Sequence, residues 1–208
     1  MTKEILQTGL VAAAFAFTLA CSSAPTETAK TEKAVEKAAE VEAPVTGKTA
    51  FWEMYKLGHA WSADMQVLYL KSGKLEGVDA KGKDGEATEW TLMVASPSKK
   101  EAHEFSYRAI TQGTKRRGVT SGAVQPWGGP TAKGQPFTTG EMKLDSNEAL
   151  AKATEKAAVW LKDNPGKELS FYLGKESRYP APVWAVLWGG EKSGFLVVVN
   201  ALDGTIEK

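Results

Sequence analysis

The chain has 208 residues, 42% hydrophobic and 25% charged, with a formal net charge of +1. That is enough apolar material for a folded core, while the charge balance gives no electrostatic footprint for nucleic acid. The one cysteine excludes an internal disulfide framework.

In chain order, the first element is an export signal. Residues 10–20 are apolar except for Thr18, too short to span a bilayer, which takes about 20 residues. Such a stretch ending in small residues is a signal peptide, here 1–20. It ends in Thr18-Leu19-Ala20-Cys21-Ser22, which resembles the lipobox of bacterial lipoproteins. The resemblance implies cleavage after Ala20 and a diacylglycerol thioether on Cys21. Thr18 departs from it, since the family prefers Leu three residues before the cysteine. With Ser22 after the cysteine, the resemblance to Gram-negative lipoproteins implies sorting to the outer membrane, facing the periplasm. Residues 21–47 then lack aromatics and are dominated by Ala, Glu, Lys and Thr. Such a composition buries too little to offset its ordering entropy, so a lipidated flexible tether is expected.

From Lys48 onward one layout recurs. The first unit, 48–110, opens with a helix whose Phe51, Met54, Gly58 and Trp61 share a face. Strands are expected at 65–71, 87–95 and 104–110; Thr88, Trp90, Leu92 and Val94 alternate in the second of these. The second unit, 139–208, opens on Asp145 and Glu148, spaced as a capping box. An apolar stripe of Leu150, Ala153, Ala157, Trp160 and Leu161 follows, stopped at Asp163-Asn-Pro-Gly166. Strands are expected at 168–173, 182–188 and 194–200, the last buried on both faces because it is continuously apolar. Trp61 then corresponds to Trp160, and Trp90 to Trp184. The predicted fold class is α+β: two similar units, each a helix packed on a three-stranded antiparallel sheet.

The second unit resembles a PepSY-type domain through its helix, Pro182-Val-Trp-Ala-Val186, and Val197-Val-Val-Asn-Ala-Leu-Asp-Gly-Thr-Ile206. The first unit resembles it more faintly. Asn200 stands where the family has Asp, and Asp203-Gly204 where it has Thr-Gly. The resemblance implies an extracytoplasmic module that binds or inhibits other proteins, notably peptidases.

Chemistry is sparse. His59 and His103 are not spaced as a metal pair, and no metal or cofactor is implied. Nucleophile elbow, dinucleotide fingerprint and P-loop are all missing from the sequence. Glu53, Asp64 and Glu89 offer carboxylates without a reason to pair any two. Residues 111–138 read as a Gly/Pro-rich connecting loop bearing Lys115, Arg116, Arg117 and Trp127, residue types that anchor interfaces. Trp188 is a further contact candidate. The expected function is a non-enzymatic, lipid-anchored periplasmic protein that binds or inhibits an envelope protein or peptide. Its rivals are an envelope hydrolase acting on peptidoglycan or peptides, and a carrier of a small apolar ligand.

Overall fold

The computed structural model describes residues 42–75, 83–190 and 192–208. Cys21, the signal peptide and the tether up to residue 41 lie outside them. The elements run β1 (Val45–Thr46), α1 (Gly47–Trp61), β2 (Gln66–Gly73), β3 (Glu86–Ala87), β4 (Glu89–Ser96), β5 (Glu101–Arg108), β6 (Gly118–Pro126), α2 (Ser146–Asp163), β7 (Leu169–Gly174), β8 (Val183–Trp188), β9 (Phe195–Asn200) and β10 (Ile206–Glu207).

All the strands but β1 and β3 form one eight-stranded antiparallel sheet in the order β10-β9-β8-β7-β2-β4-β5-β6. The chain is therefore α+β with one large sheet and two helices, and not two separate three-stranded sheets. The reason is the seam. β2 and β7, each the start of a meander, would both be open edges; they pair with each other through Tyr69–Gly174, Leu70–Leu173 and Lys71–Tyr172. Ser72 Oγ adds a bond from the Phe171 amide at 2.8 Å. Pairing the edges satisfies backbone groups that would otherwise invite aggregation.

Alternation along the strands sends one set of side chains towards the helices. Leu70, Trp90, Leu92, Val94, Phe105, Phe171, Leu173, Trp184, Val186, Val197 and Val199 meet Phe51, Met54, Ala149, Ala153 and Ala157 there. Trp90 and Trp184 are wholly buried, with ring centroids 6.3 Å apart in a T-shaped contact. Each indole N–H also has a backbone partner. Trp90 Nε1 donates to the Val45 carbonyl at 2.9 Å, and Trp184 Nε1 to the Leu144 carbonyl at 3.1 Å. Both carbonyls lie two residues before a helix begins. Trp61, at the end of α1, packs on His103 of β5, and Trp160 on Phe195 of β9.

The helix starts meet. The Asp145–Glu148 capping box forms as expected, with the Asp145 amide on Glu148 at 2.8 Å. Thr46, at the N-cap of α1, makes no side-chain cap bond. The first α1 amides are satisfied from α2 instead: Gly47 N–H donates to Ser146 Oγ and Lys48 N–H to Asp145 Oδ1, both at 2.8 Å. The Ser146 hydroxyl in turn donates to the Gly85 carbonyl at 2.6 Å. Gly47 has to be small here, because a Cβ would stand 2.8 Å from the Trp184 ring and 3.1 Å from that of Trp90.

Three expectations need correction. The tether is expected to run to residue 47, but Val45–Thr46 pairs with Glu86–Ala87, and Glu42 accepts bonds from Thr111 N and Oγ1 at 2.8 and 2.7 Å. The loop 111–138 contains β6, whose small polar residues carry no apolar alternation. β9 is not covered on both faces: Leu196 is 55% exposed, because the helices cover a single side of the sheet.

Candidate functional site

The sheet face away from the helices carries a smaller cluster, Met93, Ala95 and Ala102 with Leu68, Tyr69 and Trp127 against it. β6 ends at Pro126, and the Trp127 amide then bonds the Lys100 carbonyl at 2.9 Å. This turns the chain over the sheet, where Thr131 and Gly134 exchange backbone bonds at 3.1 and 3.2 Å and the Gln135 amide bonds the Lys175 carbonyl. The turn and the sheet enclose an open hollow of about 470 Å³ lined by Leu68, Tyr69, Trp127, Pro130, Lys133 and Tyr172. Tyr69 and Tyr172 stack across the β2–β7 seam at 5.7 Å, and the Lys71 ammonium lies 5.5 Å from the Tyr69 ring. Burial pushes both phenols above their usual pKa, and Glu104 adds to this at Tyr69. They are neutral hydroxyls at physiological pH, able to donate or accept but not to act as bases.

The second feature is β6 itself. It is the last strand of the sheet, so one side of its backbone faces no strand among the described residues. Nine residues, Gly118-Val-Thr-Ser-Gly-Ala-Val-Gln-Pro126, contain no charge, and from Thr120 onward all are exposed. Edge strands are normally guarded by charge, bulges or proline. Here the guards are a register shift opposite His103–Phe105, which puts an extra residue into β6, and Pro126 at its end. The opposite edge is closed differently: β10 has two residues, and Glu207 accepts from Asn200 Nδ2 at 2.9 Å.

The residues singled out from sequence fall apart spatially. Lys115 and Arg116 are exposed in the β5–β6 turn, where Gln112 and Lys115 exchange backbone bonds. Arg117 helps Thr111 hold the Glu42 carboxyl below its usual pKa, the Thr111 bonds being the larger cause. Trp127 lies beyond the other end of β6, about 30 Å away at about 3.3 Å per residue. The basic triad and Trp127 thus form no single patch. Trp188, 6% exposed, belongs to the core on the helix side, so it offers no contact surface. The Tyr69–Tyr172 pair was missed; its signal is an aromatic at an outward strand position on each side of the seam.

The three carboxylates are each engaged elsewhere. Glu53 pairs with Lys56 at 3.0 Å, and Glu89 with Arg108 at 3.2 Å. Asp64 Oδ1 accepts from the Ser62 and Ser96 hydroxyls at 2.6 and 2.7 Å, and Oδ2 from the Ser98 amide at 2.8 Å. These bonds hold its carboxyl far below the usual range. They tie the end of α1 to the β4–β5 turn. Among the described residues no group of three or more His, Cys, Asp or Glu is placed to hold a metal ion, and no helix is long and apolar enough to cross a membrane.

No protein-family model matches the chain, and neither does any curated protein. A solved structure of a candidate lipoprotein from Clostridium difficile 630 is similar over 82% of this chain and 94% of its own, with 9% identity and a TM-score of 0.47. A likeness that loose, at a TM-score below 0.5, leaves the reading of the site to the geometry above.

Proposed function

We propose that this chain is a lipid-anchored protein of the Gram-negative envelope that binds an extended segment of another envelope protein, without catalysing a reaction on it. The observation that carries the reading is β6, an uncharged nine-residue edge exposed from Thr120 onward. An added strand gains affinity from backbone bonds, and pockets for its alternate side chains supply specificity. The hollow beside Trp127 and the tyrosine pair lies over β2 and β7 on the sheet face away from the helices, with β4 and β5 between it and this edge. A hydrolase gains nothing from the carboxylates, each of which is already partnered. A carrier needs interior space, and the layer between helices and sheet is filled by fully buried Phe51, Met54, Trp90 and Trp184.

We read the body as two related units, of which the second resembles a PepSY-type domain. Support comes from matching details: two indoles bonded to the carbonyls before two helix starts, and two helix-end tryptophans packed on matching strands. The residue following the third meander strand of each half, β5 and β9, repeats too, with Ala109 N bonded to the Thr88 carbonyl and Ala201 N to that of Pro182, both at 2.9 Å.

Two experiments test the reading. Thr120→Lys with Val124→Lys places charge on the β6 edge while leaving the core untouched. Crosslinking and pull-down from detergent-solubilised envelope are expected to lose the bound partner by about tenfold, equivalent to about 1.4 kcal/mol; an unchanged set of captured proteins would remove β6 as the binding strand. Mass spectrometry of the mature wild-type protein is expected to find Cys21 as the N-terminal residue carrying a diacylglycerol thioether, since acyl chains supply the anchoring. A wild-type thiol found unmodified would end the lipoprotein assignment.

A further inference from the structure

His103 occupies a place where the fold asks for an aromatic ring. It lies on β5 opposite Val94, 7% exposed, with its ring 5.1 Å from that of Trp61 and 4.2 Å from that of Phe105. In the second half, Phe195 meets Trp160 in the corresponding contact. The two strand pairs share a register: Trp90 faces Tyr107 and Trp184 faces Val199, and His103 and Phe195 each lie four residues before those partners. A phenyl ring therefore fills this slot in the same molecule. The imidazole brings something a phenyl does not. Its Nε2 is 2.8 Å from the Ser121 hydroxyl of β6, while Nδ1 is buried without a hydrogen-bond partner.

We propose that His103 is an acid-sensitive latch that holds the middle of β6 to β5 while neutral and loosens it when protonated. Neutral, one ring nitrogen bonds Ser121 and the other rests among apolar rings. Protonated, both nitrogens are donors, and a buried charge has one donor unsatisfied, a costly state. Ser121 is exposed, on the bulged stretch of β6, so opening this stretch hydrates the ring with little else disturbed. The titratable and charged groups around the ring are few, and one backbone contact, with Gly122 of β6, favours the cation. α1 presents Trp61, with its exposed His59 against Tyr55; β4 presents Val94; β6 presents Ser121, Gly122 and Val124. Burial, the largest influence, lowers the imidazole pKa below its ordinary 6.5; the backbone hydrogen bond with Gly122 works against it without overcoming it, and the charges of Glu101 on its own strand and Lys99 in the preceding turn oppose each other. A group so depressed contributes stability that is fully present above 6.5 and is lost as the pH falls from there through the folded-state pKa. The latch does not depend on whether β6 binds a partner.

The test is hydrogen exchange by mass spectrometry on the full chain at pH 7.5 and 5.5, corrected for intrinsic rates, in wild type, His103→Phe and His103→Gln. Wild type is expected to exchange roughly fivefold faster in β6 at the lower pH, with β9 unchanged. Both variants should lose that dependence, Phe because Phe195 shows that the slot accepts it and Gln because it keeps a polar partner for Ser121 without titrating. Imidazole NMR, with His59 as the second resonance, should place the His103 midpoint below 6.5. Equal pH dependence in wild type and variants, a rise shared by β9, or a midpoint at or above 6.5 would each overturn the latch.

Discussion

Trp184→Ala is expected to destabilise the protein by about 4 kcal/mol, within the 3–5 kcal/mol range for aromatic-to-alanine changes in cores. The ring is wholly buried and touches those of Trp90 and Phe171. Its N–H also satisfies the Leu144 carbonyl, two residues before α2, which would be left without that donor. Trp90→Ala should cost a similar amount through the Val45 carbonyl. Because the two indoles touch, the double variant should depart from the sum of the single effects by about 1 kcal/mol, the scale of an aromatic pair. Urea unfolding measures all three. A loss under about 2 kcal/mol for Trp184→Ala would mean that the ring is not the centre of the core.

Asp145→Ala should cost about 3 kcal/mol, well beyond the usual ~1 kcal/mol for one lost N-cap. This carboxylate serves two helices. It caps α2, whose Ser146 amide lies 2.6 Å away, and it accepts from Lys48 N–H in the first turn of α1, which has no side-chain cap of its own. Asp145→Asn keeps an acceptor of the same shape and should lose about 1 kcal/mol or less. The comparison of urea midpoints separates capping from charge. If Ala and Asn behave alike, the shared cap is not what joins the two helix starts.

Local signals are legible in the sequence. The capping box needs a few adjacent residues, and its geometry is independent of the rest of the chain. The alternation of Trp90, Leu92 and Val94 declares a half-buried strand for the same reason. β6 could not be read that way: an exposed edge buries little on either face, so Gly, Thr, Ser and Ala leave no periodic trace. The β2–β7 seam was hidden because strand pairing partners are chosen by geometry between distant segments. Trp188 and the basic triad show the remaining difficulty. Residue type suggested contact, but exposure and proximity depend on the whole fold, which buried the first and placed Lys115–Arg117 a full strand length from Trp127. The Tyr69–Tyr172 pair, lying across that same hidden seam, was invisible for the same reason.

The seam also governs when the protein becomes whole. Leu70 and Leu173 are about a hundred residues apart in the chain, a high sequence separation that slows folding. An exported chain emerges N-terminus first, so β2 reaches the envelope before β7. Until β7 arrives the early meander has a bare flank and its helix has no borrowed cap, so it is sticky and half-finished. Any factor that shields newly exported chains would find its client during this interval, and a truncation before residue 169 would prolong it indefinitely.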